Sequence, residues 1–149
     1  MIDQKPLREG EVFEGPARTL TEAHFDQFSQ LTGDRHPIHH DAEYTKGTRF
    51  GRPVAHGLLL AALPALGAST GSERCHGFVF VEQDTRFLAP AFVGDTVRTQ
   101  LVVERVWREG RRQFCRFRTE VTNQHGERLL EGFHVYRMFE PAEFGLKLT

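Results

Sequence analysis

The sequence predicts an α+β fold in which an antiparallel sheet wraps around a long central helix. Residues Ala55–Ser69 are apolar on nearly every side, a pattern typical of a helix surrounded by protein. From Gly77 onwards, apolar residues recur in strand-like runs separated by turn signals. We expect these strands to form the sheet that buries the helix, within a single domain of residues 1–149.

The composition is that of a globular protein with balanced charge. The 149 residues are 39% hydrophobic, and thirteen Phe side chains supply bulk for a core. Nineteen Lys and Arg offset twenty Asp and Glu, so no overall basic field would attract a nucleic acid. Six clustered arginines form either a solvated face or a landing place for ligand phosphates such as those of coenzyme A. They are Arg105, Arg108, Arg111, Arg112, Arg116 and Arg118.

Cysteine usage and hydropathy predict a cytoplasmic protein. Cys75 and Cys115 match neither a metal-binding pair nor a disulfide framework, so we expect reduced thiols. The N-terminus lacks the apolar stretch of a signal peptide, and the longest apolar segment, Gly57–Ala68, is too short to span a bilayer. We therefore expect no association with a membrane.

An opening strand and a capped helix are predicted before residue 34. Residues Glu11–Leu20 read as a strand interrupted at Gly15–Pro16. Thr21 is a suitable N-cap for a helix, and Gly33 is suited to end it. The apolar side chains of this helix recur at spacings of three, as expected of one buried face. They are Phe25, Phe28 and Leu31.

A second short helix and the central helix follow. Asp41 is placed to cap a helix that extends through Thr45. In the central helix, Pro64 has no N–H to donate to the Leu60 carbonyl. We therefore expect either a kink near Leu60–Leu63 or an early end of the regular helix.

Four antiparallel strands are predicted in the second half of the chain. Their ranges are Gly77–Leu88, Thr96–Trp107, Gln113–Thr122 and Arg128–Phe139. In the third of them, side chains suited to a core alternate with more polar ones, as expected when one face is packed and the other is wetter. The packed face comprises Cys115, Phe117, Thr119 and Val121.

The segment Gly33–Asp41, GDRHPIHHD, combines an acid and an imidazole on a stiffened loop. Pro37 fixes its own φ and biases His36 away from helical angles, so we expect a non-helical connection. Asp34 and His39 are together suited to activate a water and deliver a proton. Alternatively, Asp34 caps the following turn and His39 is a hydrogen-bonded structural histidine.

The segment Val54–Leu60, VAHGLLL, places a glycine at the start of the central helix. Gly57 would offer a free N–H at the positive end of the helix dipole and, without a side chain, would let a ligand carbonyl approach closely. This is an oxyanion site in outline. We place His56 and His36 in the same oxyanion and substrate-binding region, where His56 is either a third catalytic group or a hydrogen-bonded brace.

Five potential ligands in these two segments also raise the hypothesis of a metal site. They are His36, His39, His40, Asp41 and His56. Their spacing matches no HExxH-type helix, and no set of cysteines accompanies them. We therefore predict neither a metal nor another cofactor.

Together the two segments resemble the signature of the MaoC-like dehydratases and (R)-specific enoyl-CoA hydratases. The likeness extends to Phe87–Val97, which is similar to that family's strand and turn after the central helix, and it runs in order and spacing from about Phe25 to Phe139. The resemblance implies a hot-dog fold, with two subunits pairing their sheets in a homodimer or a dimer of dimers. An acyl thioester would lie in a tunnel near the subunit interface.

The resemblance also implies an activity. By position, Asp34 and His39 are the catalytic pair, and the N–H of Gly57 would donate to the thioester oxygen. The family reaction adds water reversibly to a trans-2-enoyl-CoA, giving a 3-hydroxyacyl-CoA of R configuration. Two departures stand out, because many relatives have asparagine at the position of His36 and some hydratases have a serine on the central helix near Ala62.

Three functions follow from these observations. The leading hypothesis is a hydratase or dehydratase acting on a thioester of coenzyme A or a carrier protein. A hot-dog thioesterase would usually need a carboxylate or other polar base on or near the central helix, and no carboxylate occurs between Ala55 and Thr70. A non-catalytic acyl-CoA-binding module would explain the missing helix serine, although it has no need of a matched acid and base.

Overall fold

A single antiparallel sheet dominates the computed structural model, which describes residues 6–75 and 77–145. The strands are β1 (Val12–Glu14), β2 (Arg18–Thr19), β3 (Gly77–Phe87), β4 (Thr96–Glu109), β5 (Arg112–Thr122) and β6 (Arg128–Phe139). The helices are α1 (Glu22–Thr32), α2 (Ala42–Lys46) and α3 (Gly57–Ala62). The sheet order is β1-β4-β5-β6-β3, with β2 also paired to β4, and every pairing is antiparallel.

The predicted strands are confirmed with small shifts at their ends. The opening strand is divided into β1 and β2 on either side of Gly15–Pro16, as expected. A Cβ at Gly15 would lie 2.0 Å from the Thr99 side-chain oxygen, so the chain passes too close to β4 for a larger residue. The alternation in β5 is also confirmed, because all four side chains of its packed face are buried.

Helices α1 and α2 begin where their N-caps were predicted. Thr21 accepts the N–H of His24 at the start of α1, and Gly33 ends this helix with a φ of 81°. Asp41 accepts two N–H groups at the start of α2. The predicted apolar face of α1 is only partly buried, since Phe25 is in the core but Leu31 is 85% exposed.

The prediction of a long central helix is wrong, and its alternative of an early end is confirmed. The regular helix α3 has six residues, and two short 3-10 turns follow it at Leu66–Ala68 and Ser72–Arg74. Pro64 has no N–H for the Leu60 carbonyl, which instead accepts the N–H of Leu63 at 3.2 Å.

α3 packs onto the sheet through one side only. Leu60 and Ala61 share a buried cluster with Val97 of β4, Val121 of β5 and Leu130 of β6. The segment is therefore not surrounded by protein on all sides within one chain, because Leu58 is 66% exposed. The packed side fixes the position of the residues at the start of α3.

The cysteines and arginines have the environments of structural residues. Cys75 and Cys115 are free thiols, and burial raises the pKa of Cys75 to about 11 and that of Cys115 to about 12. In the arginine cluster, Arg116 pairs with Glu104 and Arg108 lies 3.8 Å from a carboxylate oxygen of Glu140, as expected of a solvated face.

Across the described ranges, no helix has both the length and the apolar character needed to cross a bilayer.

Candidate active site

The loop that carries Asp34 and His39 is held by its own polar groups. Residues Pro37–His39 form a 3-10 turn, so the prediction of a non-helical connection is wrong for these three residues. Asp34 Oδ1 accepts the N–H of His36 at 3.2 Å, and His36 Nδ1 accepts the N–H of Ile38 at 3.2 Å. His36 itself keeps the extended ψ of 134° that a following proline favours.

Asp34 and His39 face each other across a short gap. His39 Nδ1 lies 2.8 Å from the Val54 carbonyl, and because a carbonyl can only accept, Nδ1 carries the proton of the neutral ring. His39 Nε2 therefore presents a lone pair, 3.8 Å from Asp34 Oδ2. This distance is too long for a direct hydrogen bond and short enough for one water to bridge the two atoms.

The environment of Asp34 favours its carboxylate form. The hydrogen bond from the His36 N–H lowers the pKa of Asp34, and the nearby histidines act in the same direction. Half of the Asp34 side chain is exposed, whereas the His39 side chain is largely buried. The pair thus combines an ionised, accessible acid with an imidazole held in one orientation.

His56 braces both members of this pair. Its ring stacks on that of His39, with centroids 3.8 Å apart and an interplanar angle of 22°. His56 Nε2 lies 3.3 Å from the Asp34 carbonyl and 3.0 Å from Ser29 Oγ. Only 2% of His56 is exposed, and burial lowers its pKa. His56 was interpreted as either a third catalytic group or a hydrogen-bonded brace, and these contacts favour the brace.

Sequence reasoning missed Ser29 and Asp26 as parts of this site, although it included His40 among the potential metal ligands. Ser29 Oγ lies 2.6 Å from His40 Nε2, and His40 Nδ1 lies 3.3 Å from Asp26 Oδ1. A signal was present, because Ser29 follows Phe25 by four residues and so places a hydroxyl on the buried face of α1. A polar group at such a position usually has a buried partner.

Gly57 begins α3 beside an aromatic ring. As the first residue of the helix its N–H has no partner within the helix. A Cβ at Gly57 would lie 3.2 Å from the Phe87 ring, so this ring packs close to the backbone at the point where a side chain would begin. His36 is not brought to this position: it is exposed, and its ring packs edge-on to Tyr44.

Two cavities lie near these residues. A cleft of about 400 Å³ separates α1 from α3 and is mainly apolar, with Phe28, Leu31, Leu59, Ala62 and Leu63 among its lining residues. Neither member of the Asp–His pair lines this cleft. The cleft comes close to the pair at Phe28, whose ring lies 4.8 Å from the ring of His56. A second cavity of about 290 Å³ is lined by His39.

Asp34, His39 and His56 also form the one group of potential metal ligands among the described residues, each offering an atom within 4.8 Å of the others. The two imidazole rings are nearly parallel and stacked, so their nitrogen lone pairs do not point to a common centre. His56 Nε2 is moreover occupied by its contacts with Asp34 and Ser29. This geometry suits a bracing histidine better than a tetrahedral or octahedral metal centre.

A comparison with sequence families matches residues 5–126 to the MaoC-like domain. The chain belongs to the MaoC-like domain family. The predicted family is thereby confirmed, and its matched region contains both the Asp–His loop and the start of α3.

Individual relatives of this MaoC-like domain include hydratases and dehydratases. The chain is 32% identical to an (R)-specific enoyl-CoA hydratase of Rhodospirillum rubrum over 117 residues, which is 78% of each chain. It is 37% identical over 86 residues to a 3-hydroxybutyryl-CoA dehydratase of Methylorubrum extorquens. That alignment spans 57% of this chain and about half the length of the dehydratase, at 54%.

The fold of this MaoC-like domain has close counterparts among solved structures. It superimposes on the (R)-hydratase of A. caviae with a TM-score of 0.78 and 27% sequence identity. The match covers 89% of this chain and 98% of the hydratase chain. The predicted α+β hot-dog fold is confirmed in its antiparallel sheet, with a central helix shorter than expected.

Proposed function

We propose that this MaoC-like domain adds water reversibly to a trans-2-enoyl thioester, giving an (R)-3-hydroxyacyl thioester. The observation that carries the proposal is the lone pair of His39 Nε2 facing the Asp34 carboxylate at 3.8 Å. The names of its relatives support the reaction and its stereochemistry. The substrate is a thioester of coenzyme A or a carrier protein, and a single cytoplasmic domain of residues 1–149 acts without a cofactor.

In the hydration direction, Asp34 and His39 orient and activate one water. Both facing atoms are acceptors, so the water directs one O–H to each and turns an oxygen lone pair towards the substrate. Its oxygen forms a bond to C3 while the C2–C3 double bond opens. The proton that the pair removes from water is returned to C2, which balances the addition.

Gly57 stabilises the charge that develops on the thioester oxygen. As C3 is attacked, electron density moves through C2 to the carbonyl, giving an enolate-like oxygen. A backbone N–H aimed at that oxygen is a fixed donor that needs no reorganisation during the reaction. The position of Gly57 as the first residue of α3 supports this assignment, because its N–H has no partner within the helix.

The cleft between α1 and α3 is the proposed site of the acyl chain. Leu59 and Ala62 of α3 and the adjoining Leu63 line it, opposite Phe28 of α1. Its volume of about 400 Å³ is within the usual range for small-molecule sites. We place the carbon chain of a thioester held at Gly57 in this mainly apolar cleft.

Ala62→Leu is expected to shorten this channel. The larger side chain fits a helix and would project into the cleft, so kcat/KM for oct-2-enoyl-CoA should fall by about tenfold or more relative to that for crotonyl-CoA. Ala23→Leu is the matched control, because Ala23 is an exposed residue of α1 outside the cleft. Equal losses for both substrates in Ala62→Leu would place the acyl chain elsewhere.

The direct test of function is the loss of enoyl absorbance when purified protein is added to crotonyl-CoA, with the chirality of the product determined. Formation of (R)-3-hydroxybutyryl-CoA supports the proposal. Release of free coenzyme A without a hydrated product would indicate a thioesterase instead. Tight binding of acyl-CoA without turnover across a panel of linear, branched and dicarboxylic thioesters would indicate a binding module.

We further propose that two copies of the chain pair through β3. This strand lies at one end of the sheet and pairs only with β6 among the described strands, leaving its other edge free. Val79, Phe80, Val81 and Phe87 of β3 are each between 44% and 50% exposed. A long apolar edge strand can pair with a strand of another chain. Antiparallel pairing of β3 with β3 of a second copy would close a twofold dimer.

Val79→Lys combined with Val81→Lys is expected to convert the dimer to a monomer, because two added charges on each copy would face each other across the strand pair. Sedimentation equilibrium should change from twice the 17.0 kDa chain mass to the single value. Val12→Lys is the control, since Val12 is equally exposed on β1 at the opposite end of the sheet. A wild-type mass in the double variant, or a monomer from Val12→Lys, would contradict pairing through β3.

A further inference from the structure

A chain of polar contacts runs behind the Asp–His pair from the protein surface into the core. It begins at the exposed carboxylate of Asp26, which lies 3.3 Å from His40 Nδ1. It continues from His40 Nε2 to Ser29 Oγ at 2.6 Å and from Ser29 Oγ to His56 Nε2 at 3.0 Å. It ends at the Asp34 carbonyl, 3.3 Å from His56 Nε2.

The Asp34 carbonyl fixes the direction of the two hydrogen bonds made by His56 Nε2. A carbonyl can only accept, so His56 Nε2 carries a proton and donates to both the carbonyl and Ser29 Oγ. The Ser29 hydroxyl proton remains for its other partner, and we assign it to the contact with His40 Nε2 at 2.6 Å. In this arrangement the ring proton of His40 is on Nδ1, the nitrogen that lies 3.3 Å from Asp26 Oδ1.

Ser29 is therefore the link between two histidines that could not bond each other. Its side chain is fully buried, at 0% exposure, and its hydroxyl both accepts and donates. Without this hydroxyl, His56 keeps only the longer bond to the Asp34 carbonyl. Its Nδ1 provides no further anchor, because that buried atom has no partner among residues 6–75 and 77–145.

We propose that Ser29 is a positioning residue for the hydration reaction. It acts through His56, whose ring supports the face of His39 at 3.8 Å and whose Nε2 holds the backbone of Asp34. One buried hydroxyl on α1 thus sets the separation and orientation of both catalytic side chains. This inference rests on the proposed function for its kinetic consequence, whereas the proton arrangement stands independently of it.

Ser29→Ala tests the kinetic part of the proposal. We expect kcat for crotonyl-CoA to fall by about ten- to a hundredfold with KM changed by less than about twofold, because Ser29 positions the pair without touching substrate. Ser69→Ala is the matched control: Ser69 is also buried, but its hydroxyl donates to the Leu66 carbonyl in a separate turn. Ser29→Thr keeps the hydroxyl and should recover most of the lost kcat.

The outcomes separate positioning from a general loss of stability. A lower kcat in Ser29→Ala, with an unchanged kcat in Ser69→Ala at a similar fall in Tm, supports the proposal. Equal kcat values in Ser29→Ala and wild type would overturn it while leaving the hydratase function in place. Equal losses in both alanine variants would also overturn it, because they would reflect stability alone.

Nitrogen-15 NMR of the histidine rings tests the arrangement in the full chain without any turnover. Wild-type protein should show the ring proton of His56 on Nε2 and that of His40 on Nδ1. Ser29→Ala should shift the ring resonances of His40, His56 and His39, and Ser69→Ala should leave them unchanged. The opposite tautomers in wild type, or unchanged His39 and His56 resonances in Ser29→Ala, would refute the linkage whether or not the protein hydrates crotonyl-CoA.

Discussion

Asp34→Asn and His39→Ala are each expected to lower kcat for hydration of crotonyl-CoA by about 10² or more. Asparagine retains the shape of Asp34 but loses the charge that attracts the proton of water. Alanine at position 39 removes the imidazole lone pair that faces that carboxylate. Initial rates at saturating substrate, followed by enoyl absorbance, measure both effects.

Matched substitutions elsewhere provide the controls for this experiment. Asp41→Asn makes the same chemical change in the same loop, and asparagine caps a helix as well as aspartate does, so α2 should persist. His125→Ala removes an exposed histidine at the turn between β5 and β6. Both controls should have wild-type kcat. Wild-type rates in Asp34→Asn and His39→Ala would eliminate this pair as the catalytic groups.

The second large effect is expected from Gly57→Pro. Proline removes the backbone N–H that is proposed to donate to the thioester oxygen, and the loss of one such donor typically costs about 3 to 4 kcal/mol, or 10² to 10³ in kcat. The substitution suits the backbone, because proline is favoured at the first position of a helix. His56 before it already has a ψ of 135°, the extended value that precedes proline.

Gly57→Ala distinguishes the effect of losing the N–H from the effect of the added carbon atoms. Both variants place a Cβ 3.2 Å from the Phe87 ring, which must yield by a few tenths of an ångström, but alanine keeps the N–H. We expect Gly57→Ala to retain at least tenfold more kcat than Gly57→Pro, with both folded by circular dichroism. Equal kcat values in the two variants would show that the space at Gly57, and not its N–H, determines the rate.

Local sequence signals predicted most of the secondary structure. Thr21, Gly33 and Asp41 each mark a helix end through their own side chain or backbone conformation, so their effect is readable without the rest of the fold. The alternation in β5 is equally local, because successive side chains of a strand point to opposite faces. Pro64 also acted locally, although the sequence alone left a kink and an early helix end as equal alternatives.

The site was only partly predictable, because local signals reveal the chemistry of a residue but not its contacts with distant segments. Asp34, His39 and Gly57 stand in two short segments whose chemistry is legible residue by residue. The Ser29 link was not, because it joins α1 to residues 11 and 27 positions further along the chain. The roles of His36 and His56 also depend on burial: His36 is exposed, and His56 is enclosed behind His39.

By itself the sequence determined the family, the antiparallel sheet, the helix caps and the residues suited to acid–base chemistry. These follow from side-chain periodicity, from caps and from motifs, all of which act over a few residues. Only the tertiary structure decided the shortness of α3, the stacking of His56 on His39 and the hydroxyl that connects two histidines. The physical reason is that these hydrogen bonds and ring contacts join segments that are far apart in the chain. No local pattern specifies how close the fold brings such segments.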